Sequence, residues 1–123
     1  MGKIGGLPPV TKKMTDESDE KKFQFTFYCD CCAAGFRTLE IPFSAANAPP
    51  RFKDFSGAQR LIWDAEHEDA YERGNREALI RLPACEDCGR HICEICNGEF
   101  AEDTLCPDCR GIRDMQNYNM GGI

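Results

Sequence analysis

The sequence predicts a small α+β domain, and three observations carry that expectation. Residues 23–28, FQFTFY, place Phe23, Phe25 and Phe27 on one face and Gln24, Thr26 and Tyr28 on the other, the period of a strand. Residues 56–82 carry apolar side chains at helical intervals between dense charges. Eight of the nine cysteines fall into four C-x-x-C pairs: Cys29/Cys32, Cys85/Cys88, Cys93/Cys96 and Cys106/Cys109.

The first 22 residues hold glycines, the pair Pro8-Pro9 and a mixed charge cluster, with little to bury, so 1–22 is expected to be a disordered tail. The domain is expected over 23–115. Its first unit is a hairpin over 23–43, running into Cys29, turning at 33–35 and returning as FRTLEIPF, where Pro42 closes the second strand. Residues 44–55, with Pro49 and Pro50, read as a loop.

Ser56 and Gln59 have the spacing of a capping box and open a helical insert over 56–82. Ala58, Leu61, Ile62 and Ala65 sit at helical intervals, and Trp63, His67, Ala70, Tyr71 and Gly74 form a neighbouring stripe. Gly74-Asn75 reads as a C-cap followed by a new N-cap, so a break is expected there. REALIRLP is either a last helical turn or a short strand. A cysteine-rich unit follows over 85–110, Pro107 suits the first position of a short final helix to about Met115, and 116–123 is expected to be a tail. The aromatics around the hairpin, with Trp63 and Tyr71, form the expected core.

Length and composition narrow what the cysteines do. At 123 residues and 13.8 kDa the chain has room for one domain. No run approaches the ~18 apolar residues of a membrane helix. The N-terminal MGKIGGLPPVTKK has no apolar stretch of signal-peptide length. The expected compartment is therefore the cytoplasm, where cysteines bind metal or catalyse more often than they form disulfides.

A C-x-x-C turn brings two thiolates to one tetrahedral ion, and four pairs supply two closed sites. A redox motif would require a thioredoxin-like βαβ pattern, and iron–sulfur ligation a ferredoxin-like spacing; neither is present. Two zinc ions are the expected cofactors. Seventeen residues separate Cys88 from Cys106, a recognised zinc spacing. That favours interleaved sites: Cys29, Cys32, Cys93 and Cys96 for the first zinc, and Cys85, Cys88, Cys106 and Cys109 for the second. The sequential alternative joins the first pair to the second and the third to the fourth, closing its second site over only nine residues. Cys31 is expected to be a free thiol. With four complete pairs present, His91 and His67 are surplus to coordination.

CEDCGRHICEIC, two C-x-x-C pairs around Gly89-Arg90, resembles the centre of FYVE-type zinc fingers, and CPDCR resembles the last ligand pair of RING fingers. Both families use cross-brace ligation, so the resemblance implies interleaved sites on treble-clef-like elements behind a hairpin zinc knuckle. The chain is also similar to small uncharacterised bacterial double-zinc proteins with a YCxxC…IPF hairpin, a helix and CxxCGRxxCxxC…CxxC. FYVE fingers bind a phosphoinositide through a basic run before the second pair. Here that stretch is IRLPACED, with Arg81 followed by Glu86 and Asp87, and lipid-headgroup binding is not expected.

Charge points the same way. The chain carries 15 Lys and Arg against 21 Asp and Glu, a net −6. Residues 85–123 hold three cations against eight anions, and each zinc with four thiolates adds a further −2. Phosphate recognition needs clustered cations, so nucleic acid is not the expected partner. The expected function is a non-enzymatic, structural zinc protein that serves as a protein–protein interaction module. The alternatives are a RING-like ubiquitin-ligase-type adaptor and a nucleic-acid-binding zinc finger.

Overall fold

A computed structural model describes residues 8–45, 48–98 and 101–121. Its five short strands are β1 (Met14–Asp16), β2 (Lys22–Phe23), β3 (Phe25–Tyr28), β4 (Gly35–Arg37) and β5 (Ile41–Pro42). A 3-10 turn at Phe52–Asp54 precedes the helices α1 (Gly57–Arg81), α2 (Glu94–Asn97) and α3 (Pro107–Gly121). The result is a small mixed α/β structure with two small sheets.

The alternating aromatics do form strands, but the hairpin over 23–43 is divided between two sheets. One has the order β1-β3-β4, the other pairs β2 with β5, and all pairings are antiparallel. Phe27 faces Phe36 in the first, whereas Phe23 faces Ile41 in the second, so the registers differ by one residue. That extra residue makes a bulge. Around it the Thr38 hydroxyl accepts from Phe25 N at 3.1 Å, and Thr38 N donates to Phe25 O at 2.8 Å. Leu39 is turned outward and its amide is held by the Glu77 carboxylate.

The expected disordered tail over 1–22 does not hold from residue 8 onward; residues 1–7 lie outside the described residues. β1 adds to β3, with Met14 opposite Phe27, and so covers an edge that would otherwise be open. Side chains reach back to fasten the segment. Val10 N donates to Asn75 Oδ1 at 2.9 Å, Lys12 N donates to Asp30 Oδ1 at 2.9 Å, and Asp16 Oδ2 lies 2.7 Å from His67 Nε2. Burial works to raise the Asp16 pKa, but hydrogen bonds from His67 and Ser18 outweigh it and hold the carboxyl below its ordinary value.

α1 begins as its sequence requires: Gln59 N donates to Ser56 Oγ, and Ser56 N donates to Gln59 Oε1. It then departs from expectation in two ways. First, it runs unbroken through Gly74 and Asn75, and REALIR is helical. Gly74 is a close-approach site: a Cβ there would stand 3.4 Å from Phe25 Cδ2 and 3.5 Å from Phe27 Cε2. Asn75 is buried and receives Val10 N, so neither residue acts as a cap. Since a methyl group at those distances makes ordinary packing contacts, Gly74→Ala is expected to fold and gain up to about 1 kcal/mol from helix propensity. Thermal melts of the two proteins check this; a marked loss would show that the gap cannot be filled.

Second, only one of the two apolar stripes on α1 faces the sheets: Trp63, His67, Ala70, Tyr71, Gly74 and Ala78 are buried. The His67 ring stacks on Trp63 at 4.7 Å and leans against Phe25 at 5.5 Å, while Phe25 meets Tyr71 edge-on at 5.5 Å. Trp63 satisfies its indole N–H on Asp19 O at 3.0 Å. The stripe containing Leu61 and Ile62 is exposed.

Between α1 and α3 the described residues have little regular structure to hold the chain. Among the described residues of 82–106 there are an isolated bridge, Ala84 with His91, and the single turn of α2. Leu82, Ile92 and Leu105 are buried there beside Cys85 and Cys106. α3 starts at Pro107 as expected but continues six residues past Met115, so 116–121 is helix and not tail; 122–123 lie outside the described residues.

Candidate metal centres

Two local motifs, each used twice, position the eight paired cysteines. The first is a knuckle. Cys29 N donates to Ala34 O and Ala33 N to Cys29 O; likewise Cys85 N donates to Arg90 O and Gly89 N to Cys85 O. The fifth residue of each turn is left-handed, Gly89 at φ +81° and Ala33 at φ +64°. Glycine takes that conformation freely, whereas alanine is held in it by the turn. The second motif is a helix start: Cys93 is the N-cap of α2, and Cys106 immediately precedes α3.

The fold pairs each knuckle with one helix start. Cys93 N donates to Cys29 Sγ at 3.3 Å, and in the equivalent place Cys106 N donates to Cys85 Sγ at 3.3 Å. Cys29, Cys32, Cys93 and Cys96 thereby form one group, and Cys85, Cys88, Cys106 and Cys109 another, with the sulfurs of each group all within 4.8 Å of one another. These are the interleaved sets; the structure does not bring the sequential sets together.

The spacing fits a metal ion. Sulfurs of Cys29 and Cys96 are 3.7 Å apart, those of Cys32 and Cys93 3.6 Å, and those of Cys88 and Cys106 3.7 Å. Four ligands placed ~2.3 Å from a central tetrahedral ion stand about 3.8 Å apart, so each group is close to the required size. No protein-family model, curated protein or solved structure matches the chain. The assignment of the centres therefore rests on their own geometry and chemistry.

The electrostatics of the thiols suits a cation. Burial pushes the Cys29 thiol up, but the amides of Cys32, Cys93 and Cys31 prevail and bring it down to about 6. Cys85 behaves alike: burial is outweighed by the amides of Cys106, Cys88 and Asp87, and its pKa falls to about 6. A partner in each group moves the other way. Cys96 is raised by burial and by neighbouring thiols, and Cys109 by the Cys106 thiol and then by burial. Without a cation, one thiolate in a group suppresses ionisation of the next. A divalent ion removes that repulsion for all four.

Of the residues left over, Cys31 is exposed and its sulfur belongs to neither group, although its amide donates to Cys29 Sγ at 3.4 Å. His91 Nδ1 lies 2.7 Å from Leu82 O. A carbonyl only accepts, so that nitrogen carries the proton and the ring braces the second knuckle. His67 is packed in the aromatic core, away from both groups.

Sequence reading overlooked the residues that join the groups to the fold. Asp30, between the first two cysteines of its knuckle, accepts Lys12 N on one carboxylate oxygen and His91 N on the other, both at 2.9 Å. On α3, Arg113 makes a fork on Asp87 at 2.6 and 3.0 Å, and Arg110 reaches Asp103 at 3.2 Å and Asn97 O at 3.1 Å. Asn97 Oδ1 in turn receives Leu105 N at 3.0 Å. Singly these exposed pairs contribute little; as a network they fix the orientation of the α3 start. The signal was present, Arg110 and Arg113 one turn apart directly after the last pair, but its acceptors are distant in sequence.

Proposed function

We propose that the chain is a non-enzymatic zinc protein whose two ions hold a cross-brace, treble-clef-like scaffold that presents surfaces to a protein partner. The observation that carries this reading is the size of the two four-sulfur groups, each drawn from alternate C-x-x-C pairs. Thiolates in a tetrahedral set suit zinc, and a closed set of four offers no open position for a substrate or an activated water. The ions accordingly act through folding: they tie down the stretch between α1 and α3, whose described residues have little secondary structure. The acidic composition of 85–123 favours a protein over a nucleic acid as partner, and cysteines paired for metal binding suit the cytoplasm. No described helix is long and apolar enough to cross a membrane.

Elemental analysis of the purified chain tests the central point. Two zinc ions per chain and a colourless protein are expected; one ion, or an iron–sulfur chromophore, would contradict the assignment.

One observation favours the RING-like adaptor as a second reading. Ile95, inside the third pair, is 89% exposed, near a groove of about 520 Å³ lined by Ile80, Arg81, Pro83, Cys93, Glu94 and Asn97. The groove opens between the end of α1 and the Cys93–Cys96 loop, and no residue of the Cys29–Cys32 knuckle lines it. Binding to a ubiquitin-carrier enzyme that Ile95→Asp abolishes would establish that reading.

A further inference from the structure

α1 carries more apolar surface than the fold uses. Ala58, Leu61, Ile62 and Ala65 repeat at i, i+3, i+4 and i+7, the spacing of a seam between helices, yet all four are exposed. Leu61 is 72% exposed and Ile62 47%. Single exposed leucines are common on protein surfaces. A four-residue stripe on a capped helix, opposite the face that packs Trp63, His67 and Tyr71, is different: it is a preformed edge that water covers at a cost.

The same face continues one turn later into Glu68, Asp69 and Glu72. Among the described residues Glu68 and Glu72 have no ion pair, and Asp69 meets Arg73 at 3.7 Å with both side chains well exposed. Of the cations near this face, Arg60 is turned away from it, bonded to Asp64 at 3.2 Å and lying over the Phe52 and Trp63 rings, and the exposed Arg76 follows only one turn beyond Glu72. The surface is thus apolar and then acidic along one line, on a chain of net charge −6.

We propose that this face of α1 docks a basic amphipathic segment of a partner protein. Its apolar residues lie on Leu61 and Ile62, and its Lys or Arg residues meet Glu68, Asp69 and Glu72. A second copy of the chain is disfavoured by charge, since a parallel pairing sets the three carboxylates against their own copies and the whole chains repel. The proposal rests on the interaction-module reading and gives it a partner chemistry.

The test pans the zinc-loaded full chain against a displayed library of random peptides. Enriched peptides are then measured by fluorescence anisotropy on the wild type, on Leu61→Asp and on the combined Glu68→Lys, Asp69→Lys, Glu72→Lys variant. Expected are net-basic peptides with apolar residues three or four apart, whose affinity falls about tenfold or more in both variants. Acidic or neutral peptides, no enrichment, or binding indifferent to Leu61→Asp would overturn the proposal. So would a dimer in sedimentation that Leu61→Asp dissociates, because the occupant would then be a second copy. Metal content is measured alongside: variants that keep two zincs but bind as the wild type does refute the docking face alone. A wild type without zinc refutes the scaffold beneath it.

Discussion

Stripping the metal from the folded chain is expected to unfold it. Each structural zinc contributes on the order of 10 kcal/mol to folding, and a domain retains only about 5–15 kcal/mol of net stability. Loss of two ions exceeds that margin. Little in the described fold can take their place: the described residues of 82–106 have one isolated bridge and one helical turn, and the buried Leu82, Ile92 and Leu105 lie beside Cys85 and Cys106. Without the cation each group also holds a thiol brought down to about 6, Cys29 or Cys85, with a partner pushed upward, Cys96 or Cys109. Titration with a strong chelator, following released zinc and near-ultraviolet circular dichroism together, checks the outcome. Trp63 makes the second signal specific, since its ring is packed by Phe23, Phe52 and His67 in the half of the molecule away from the metal groups. Dichroism unchanged after release of both ions would show that the aromatic core folds alone.

Sequence made some of this architecture visible and concealed the rest for reasons of physics. Alternation of Phe23, Phe25 and Phe27, the Ser56–Gln59 box and Pro107 at a helix start are local signals, and each element appeared where its local chemistry placed it. Four C-x-x-C pairs are also local, and the grouping of their sulfurs follows the interleaved spacing. What failed was long-range. Met14–Asp16 has weak propensity of its own and becomes a strand because β3 offers an open edge. Gly74-Asn75 has the composition of a helix end, but two phenylalanine rings and the Val10 amide use those positions from outside the helix. Of two equally periodic stripes on α1, periodicity could not say which one the sheets would cover. Asp30 and Arg113 are in the same class, as their partners lie 61 and 26 residues away.

Loss of one ligand should have unequal consequences at the two centres. Cys32 is an exposed member of the first group, on a turn between β3 and β4 whose strands are paired independently of any metal. Cys32→Ser is expected to release one zinc and leave the second bound as tightly as before. Cys106 is fully buried, donates its amide to Cys85 Sγ, and accepts Cys109 N on its sulfur at 3.4 Å. Replacing its thiolate with serine removes the ligand that joins the second knuckle to α3. It also frees the Arg110 and Arg113 contacts that orient that helix start. The disturbance reaches the other centre, because only four residues separate Cys88 from Cys93 and the Cys93 amide must meet Cys29 Sγ at 3.3 Å. Cys106→Ser is therefore expected to hold at most one zinc, and to hold it about tenfold more weakly or worse, roughly 1.4 kcal/mol. Zinc counts and competition with a chelator of known affinity, run on both variants, decide the matter. Equal losses of one ion with the remaining affinity unchanged in each would mean that the centres are independent. An interleaved chain, in which Cys85 and Cys88 lie between ligands of the first ion and Cys93 and Cys96 between ligands of the second, makes that the outcome least compatible with its geometry.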